Sequence, residues 1–471
     1  MKKIQIAADQ IFEKYDSFQE KSITHRRFKH SDMLKVFDKI KSGEKFNFEF
    51  VGTSVLGREL NLISIGKGKT KIFLWSQMHG NESTATMALF DIFNFFSDTS
   101  SLKEIKETIL NNLTLYFLPM VNPDGAELFQ RENIYNIDIN RDALALQTPE
   151  GRILMESFIK IGPTFSFNLH DQGILYSAGG TNNPATLSFL APAFNKEKSL
   201  NTKRENSMKV IGALYKVLSE YIPGCIARYS DEFEQRAYGD VFQSMGSSTI
   251  LIESGGSKND IEKQFIRKLN FTAILTALYM IADNNYEDIK LSLYEDIPYN
   301  AEKLFNTVLR NLTFKENEQN FTADIGIIME EINTAGGSGF LQKSEIGGIG
   351  DLSTFYGYEE YNLKGYEIVP GKTYDKKFKN INELSNSMVV NLLKQGYTNV
   401  VLEETEGGDF SPLPINVFSI RNEHRKNKIK TKNSADFVIS KNGKINFVVV
   451  NGFFINLSKE IDTNINGRIY H

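Results

Sequence analysis

An open α/β sheet followed by a smaller β-rich domain is the fold this sequence predicts, and three observations carry the prediction. Several apolar, strand-like runs stop abruptly at polar side chains of the ligand-binding kind. At 471 residues the chain is longer than a single hydrophobic core usually organises, so a division into parts is expected. Beyond about residue 290 the pattern changes to short β-type runs separated by turn signals. The divisions expected are an N-terminal helical segment (1–45), a central domain (46–290) and a β-rich accessory domain (291–471).

Four runs define the first part. Residues 72–82, IFLWSQMHGNE, form an apolar run ending in His79, with Glu82 three residues on. An imidazole nitrogen and a carboxylate oxygen are ligands that zinc accepts at about 2.0–2.2 Å, and this spacing at a strand-to-helix turn lets both face one ion. In residues 165–172, FSFNLHDQ, Phe165, Phe167 and Leu169 alternate with Ser166, Asn168 and His170, the period of a half-buried strand. Residues 249–252 read as a fully buried strand, so Glu253 follows a segment where a charge needs a partner or a purpose. Residues 113–125 form a strand closed by an Asn-Pro-Asp-Gly turn. In open α/β sheets the ligand crevice lies outside the carboxyl ends of the strands, which is where all four runs deliver their polar groups. Of the six histidines, only His79 and His170 end apolar strand runs. Two histidines and a glutamate are also the ligand set of hydrolytic zinc sites that keep a position open for water.

The series His79-Gly80-Asn81-Glu82, Asn122-Pro123-Asp124-Gly125, Arg131-Glu132-Asn133, Asp138-Ile139-Asn140-Arg141-Asp142, His170 and Glu253 resembles, in order and spacing, the zinc carboxypeptidase family of the pancreatic carboxypeptidases A and B. Upstream, residues 52–58, GTSVLGR, are similar to a Gly-x-Ser-x-x-Gly-Arg segment found in many members. The likeness spans roughly residues 46–290. It implies a mixed, mainly parallel central sheet flanked by helices on both faces, and a peptidase that removes the C-terminal residue of a peptide. By the same resemblance one zinc ion per chain is bound by His79, Glu82 and His170, and Glu253 is the general base for the zinc-bound water. Arg131 stabilises the oxyanion, while Asn140 and Arg141 clamp the free C-terminal carboxylate of the substrate. An arginine fork suits a carboxylate because it gives two parallel hydrogen bonds. Asp138 reads as a structural partner for a neighbouring loop or for a ligand histidine rather than a catalytic group, in keeping with the carboxylates that surround zinc sites. Glu150, in Thr-Pro-Glu-Gly-Arg, reads as part of a helix start.

The chain also departs from the family pattern. Asn81 stands where the pancreatic enzymes have an arginine before the metal glutamate. The phenol that covers their substrate has no clean match here, Tyr229 and Tyr238 being the two candidates before Glu253, and Arg236 is either a substrate contact or half of a salt bridge within the fold. Asp171 has no assigned role. The HGNE motif is also similar to the aspartoacylase and succinylglutamate desuccinylase deacylases, zinc enzymes that cut N-acyl groups from amino acids. A non-catalytic peptide-binding protein is a third reading, which the complete motif set disfavours.

Hydrophobic content of 41% and charged content of 24% are ordinary for a globular protein, and the net charge of −4 makes no case for nucleic acid. The basic run 421–432 lies among asparagines and reads as a solvated loop. The N-terminus lacks an apolar stretch of secretory type, no run reads as a membrane span, and Cys225 is the only cysteine. A cytoplasmic protein with a peptide substrate and no membrane or nucleic-acid partner is therefore expected; the oligomeric state stays open.

Residues 1–45 read as helical, with Ser31 as an N-cap and Met33, Leu34, Phe37 and Ile40 on one face before Gly43. A helix is expected near 207–221 and a last one near 301–310. Asn442-Gly443 and Asn451-Gly452 mark hairpins in a small β-sandwich or barrel. The glycine-rich stretch 336–350 reads as turns.

Overall fold

The computed structural model describes residues 1–405, 407–424, 427–462 and 465–471, so Arg425 and Lys426 of the basic run lie outside the described residues. The chain forms two compact units: residues 1–302 with 335–338, and residues 303–334 with 339–471.

The first unit carries strands β1 (Asn47–Thr53), β2 (Glu59–Gly66), β3 (Thr70–Ser76), β4 (Leu113–Leu118), β5 (Phe165–Asp171), β6 (Tyr176–Ala178), β7 (Leu187–Leu190), β8 (Ile226–Arg228), β9 (Ser248–Ser254) and β10 (Asn300–Glu302). Eight of them form one sheet in the order β1-β2-β4-β3-β5-β9-β7-β8, and β6 pairs with β10. The β3/β4, β3/β5, β5/β9 and β7/β8 pairings are parallel; β1/β2, β2/β4 and β7/β9 are antiparallel. The mixed, mainly parallel sheet is thus as expected.

Its longer helices are α1 (Lys2–Lys14), α2 (His30–Lys41), α3 (Thr84–Ser97), α4 (Lys103–Asn112), α5 (Pro123–Leu128), α6 (Pro149–Ile161), α7 (Thr202–Leu218), α8 (Tyr238–Ser244) and α9 (Gln264–Ala282). Successive strand side chains point to opposite faces, and β3 shows both faces covered. Ile72 and Leu74 join a core with Leu89 and Phe93 of α3 and Ile274 and Leu278 of α9. Phe73 and Trp75 join a second core with Leu154 and Phe158 of α6 and Phe242 of α8. α9 has the length and apolarity of a membrane span, but 89% of that window is buried inside the protein, as befits a core helix.

Residues 1–45 do not stand apart from this unit. Ile4, Ala7, Ala8 and Ile11 of α1 and Met33, Val36, Phe37 and Ile40 of α2 belong to the same core as α3 and α9. Ser31 lies inside α2 rather than capping it; Asp32 reaches back to the Lys29 N–H at 3.0 Å. The boundary expected at 290 falls after Glu302, because β10 pairs with β6 and Asn300 Nδ2 donates to Gln172 Oε1 at 3.1 Å.

The second unit is β-rich. The helix expected at 301–310 is absent: residues 304–316 form a strand paired with 319–333. The apolar spacing there is overridden by a hairpin whose Asn317 and Glu318 turn through left-handed φ of 46° and 65°. The hairpins at Asn442-Gly443 and Asn451-Gly452 form as expected. The stretch 336–350 is only partly a turn, since residues 340–350 pair as a strand. Val438, Val448 and Val450 of one sheet share a core with Val400, Leu402 and Val417 of another and with Val389 and Leu393 of a helix, the packing of a sandwich.

The chain runs from β3 to β4 on one side and later to β5 on the other, so strand order reverses between β3 and β5. A crevice is expected at the carboxyl ends there.

Candidate active site

The loop after β3 is shaped by two glycines. A Cβ on Gly80 would lie 2.1 Å from the backbone of Gly125, so HGNE packs against the NPDG backbone only without a side chain at Gly80, while a Cβ on Gly125 would meet the Asn122 amide and the Glu132 carbonyl. Asn122 Oδ1 accepts from Gly125 N at 2.9 Å, and the Arg131 carbonyl accepts from Gly80 N at 3.2 Å and from Asn122 Nδ2 at 3.3 Å. Asp124 ties in the upstream motif, accepting from Ser54 Oγ (2.8 Å), Leu56 N (2.9 Å) and Arg58 Nη1 (2.7 Å). The GTSVLGR and NPDG motifs therefore brace the loop that carries the ligand-type residues.

His79, Glu82 and His170 are all buried and converge, their ligand-type atoms lying within 4.8 Å of one another. Glu82 Oε1 is 2.7 Å from His79 Nδ1, and Oε2 is 2.7 Å from His170 Nδ1. His79 Nε2 lies 3.1 Å from Asp138 Oδ1, which holds the ring with Nδ1 turned to the other ligand atoms. Burial pushes the Glu82 carboxyl up, but the two imidazoles outweigh it and hold the group well below the usual carboxylate range. A buried, ionised carboxylate between two imidazoles is a donor set that fits zinc.

Glu253 stands beside His170, its direct partner in the parallel β5/β9 register. Burial, and then the carboxylates of Glu82 and Asp171, push its proton affinity well above the ordinary value, against the pull of Arg131 and Lys263. Arg131 Nη1 donates to Glu82 Oε1 at 3.2 Å, and Nη2 donates to Asp138 Oδ2 at 3.0 Å. Arg131 therefore reaches the same centre from the loop after α5.

The residues expected to bind substrate divide. Asn140 Oδ1 accepts from Tyr238 N at 3.0 Å, which turns the other end of the amide, its NH₂, away from this contact. Arg141 is partly exposed, with Nη1 donating to Asn140 O at 2.7 Å and Nε 3.5 Å from Glu234 Oε2. Tyr229 is mostly buried in the combined field of Glu253, Glu82, Arg131 and Arg141, with burial the main cause of its raised pKa. Tyr238, the other phenol considered, is fully buried, and its hydroxyl donates to Gly151 O at 2.8 Å. It holds Asn140 through its backbone and has no phenol to offer a substrate. Arg236 is committed to Glu234, with Nε to Oε1 at 3.0 Å and Nη2 to Oε2 at 2.8 Å, so it forms the salt bridge rather than a free contact. Glu234, pulled down to about 2 chiefly by Arg236, was not anticipated from the sequence. Neither was Lys263, which lies in a loop with no recognisable spacing to any motif. Glu150 is in the first turn of α6 as expected, accepting from Val55 N at 3.0 Å.

Part of the chain is similar to known proteins. Residues 35–167 match the zinc carboxypeptidase family. The probable carboxypeptidase 2 of Arthroderma benhamiae is 24% identical over 295 residues, 60% of this chain and 52% of its own length. Carboxypeptidase B of Astacus astacus is 35% identical over 85 residues, 17% of this chain and 27% of that protein. The chain spans about half the length, or less, of these curated relatives. Among solved structures, a metallo-carboxypeptidase from Burkholderia cenocepacia aligns over 54% of this chain and 69% of its own at 14% identity and a TM-score of 0.45. Carboxypeptidase A of Helicoverpa armigera aligns over 58% and 79% at 14% identity and a TM-score of 0.44. The match over residues 35–167, with the motifs that continue to Glu253, makes this part of the chain similar to the zinc carboxypeptidase family.

Proposed function

We propose that this protein is a zinc metallocarboxypeptidase that hydrolyses the last peptide bond of a substrate bearing a free C-terminal carboxylate. The observation that carries the reading is the convergence of His79, Glu82 and His170 beside a buried Glu253 held in register with His170. A zinc ion held by those three residues would supply Lewis-acid polarisation of the scissile carbonyl and of water. Glu253 takes a proton from the attacking water and delivers it to the departing amine, a task suited to a carboxylate of raised proton affinity. Arg131 places positive charge where the oxyanion develops, and Asp138 holds it there. The Asn140 amide and the Arg141 guanidinium receive the terminal carboxylate, and Tyr229 covers the bound residue.

The test is a panel of peptides of four or more residues with free or amidated C-termini, run beside N-acetyl and N-succinyl amino acids with metal content measured on the same sample. Release of the last residue from free-carboxylate peptides, nearly abolished by amidation, is the expected result. Turnover of only the N-acyl amino acids would assign the chain to the deacylases instead.

A further inference from the structure

Lys263 occupies a place that ordinary stability arguments disfavour three times over. It is 5% exposed, although an ammonium is among the groups least often buried. Its backbone is left-handed, with φ of 50°, a region that non-glycine residues avoid. It also stands at the N-cap of α9, the end of a helix dipole where a positive charge is unfavourable. Strain and charge kept against such costs mark positions retained for something other than stability.

Its partners show what that is. The Lys263 ammonium donates to the Ser254 carbonyl at 2.9 Å and to Asp171 Oδ2 at 3.0 Å, and the same Asp171 oxygen accepts from Thr84 Oγ1 at 2.5 Å. Ser254 follows Glu253, Asp171 follows His170, and Thr84 lies two residues after Glu82. Asp171 N also donates to Glu82 Oε2 at 3.2 Å. One buried ammonium therefore gathers the segments that deliver two metal-type ligands and the proposed base. These segments come from the start of α3, the end of β5 and the end of β9. Asn270 of α9 holds Ser254 from the other side, its Nδ2 donating to Ser254 Oγ at 2.9 Å.

We propose that Lys263 is a positioning residue that, through Asp171 and the Ser254 carbonyl, sets the place of Glu253 relative to His170 and Glu82. This rests on the reading of Glu253 as the base. Displacement of a reacting group by about 1 Å is enough to cost roughly a hundredfold in rate, so small movements of this staple matter.

The test compares parent, Lys263→Met and Lys263→Arg in the full chain, on whichever class the parent turns over, free-carboxylate peptides or N-acyl amino acids. Lys263→Met is expected to lower kcat by about 10- to 100-fold with KM within about twofold and zinc content unchanged. Lys263→Arg should recover much of the loss, because it restores a buried donor to both oxygens. Should Lys263→Met fail to fold, the double variant Lys263→Met/Asp171→Asn removes both charges together, and the same fall in kcat is expected of it. Parental kcat in a folded, zinc-loaded variant would overturn the proposal. So would a loss matched by lost zinc or lost folding and not relieved by arginine. A parent that hydrolyses neither class would overturn the proposed function, and the role of Lys263 with it.

Discussion

Two clusters of buried charge in the first unit are built from similar groups and finished differently. Around Asp91 and Arg267, both fully buried, every guanidinium nitrogen is used. Nε and Nη2 donate to Asp91 at 2.7 and 2.5 Å, Nη1 to Ile23 O at 2.6 Å and Gln264 Oε1 at 3.0 Å, and Nη2 also to Glu20 O at 3.1 Å. Asp91 accepts in addition from Tyr15 Oη at 3.1 Å and Glu20 N at 2.7 Å. Around His79, Glu82 and His170 the accounting is incomplete. Gln77 Oε1, Asn81 Oδ1, His170 Nε2 and Asp171 Oδ1 are buried without a hydrogen-bond partner among the described residues. A closed network contributes rigidity and joins elements. An open one keeps capacity for groups the chain does not itself supply.

This contrast predicts which substitutions alter chemistry and which alter folding. The largest effect is expected at Glu253. Glu253→Gln should lower kcat by about 10² to 10⁴ while zinc stays bound, whereas His79→Ala and His170→Ala should each lose the metal. Stoichiometric zinc in both histidine variants, or a parental rate in Glu253→Gln, would remove the distinction between the clusters.

Arg267→Met should be the mirror image. Leaving Asp91 buried and unpaired costs about 3–5 kcal/mol of stability, readable as a lower urea midpoint. The rate per folded molecule should stay at the parental value; a fall in kcat without loss of stability would show that this cluster, too, serves catalysis.

Asp240 offers a smaller effect with a definite sign. Burial pushes its carboxyl up to about 7 from an ordinary 3.8, and it has no ion-pair partner among the described residues. A carboxyl raised on folding contributes stability that is complete below its unfolded pKa and lost as pH rises through the folded one. Parent stability should therefore decline between about pH 4 and pH 8 through this group, and Asp240→Asn should remove the decline. The gain at pH 8 should be on the order of 2–4 kcal/mol, and equal pH profiles for the two proteins would refute it.

The two tyrosines should separate at the smallest scale. Tyr238→Phe loses one buried hydrogen bond, to Gly151 O, and should cost about 1 kcal/mol of stability with KM unchanged. Tyr229→Phe should leave stability within about 0.5 kcal/mol and change kcat or KM on the peptide panel. The reverse pattern would return Tyr238 to the substrate side.

What the sequence determined by itself is whatever is written in spacing along the chain. The strand runs ending at His79, His170 and Glu253, the NPDG turn and the Asn-Gly hairpins depend on residues that are neighbours in sequence. Their local periodicity and turn chemistry survived into the structure. Only the tertiary structure decided the rest. It made residues 304–316 a strand because a partner strand was available to pair with them. It drew residues 1–45 into the main core and carried the first unit on to Glu302. It buried Tyr238 against Gly151, gave Arg236 to Glu234 and brought Lys263 to Asp171, pairs separated by 87, 2 and 92 positions. The Arg236 pair is close in sequence, yet even there nothing local said whether the arginine would meet a glutamate or a substrate. Burial and pairing of side chains depend on which elements pack together, and that is settled by the whole core at once.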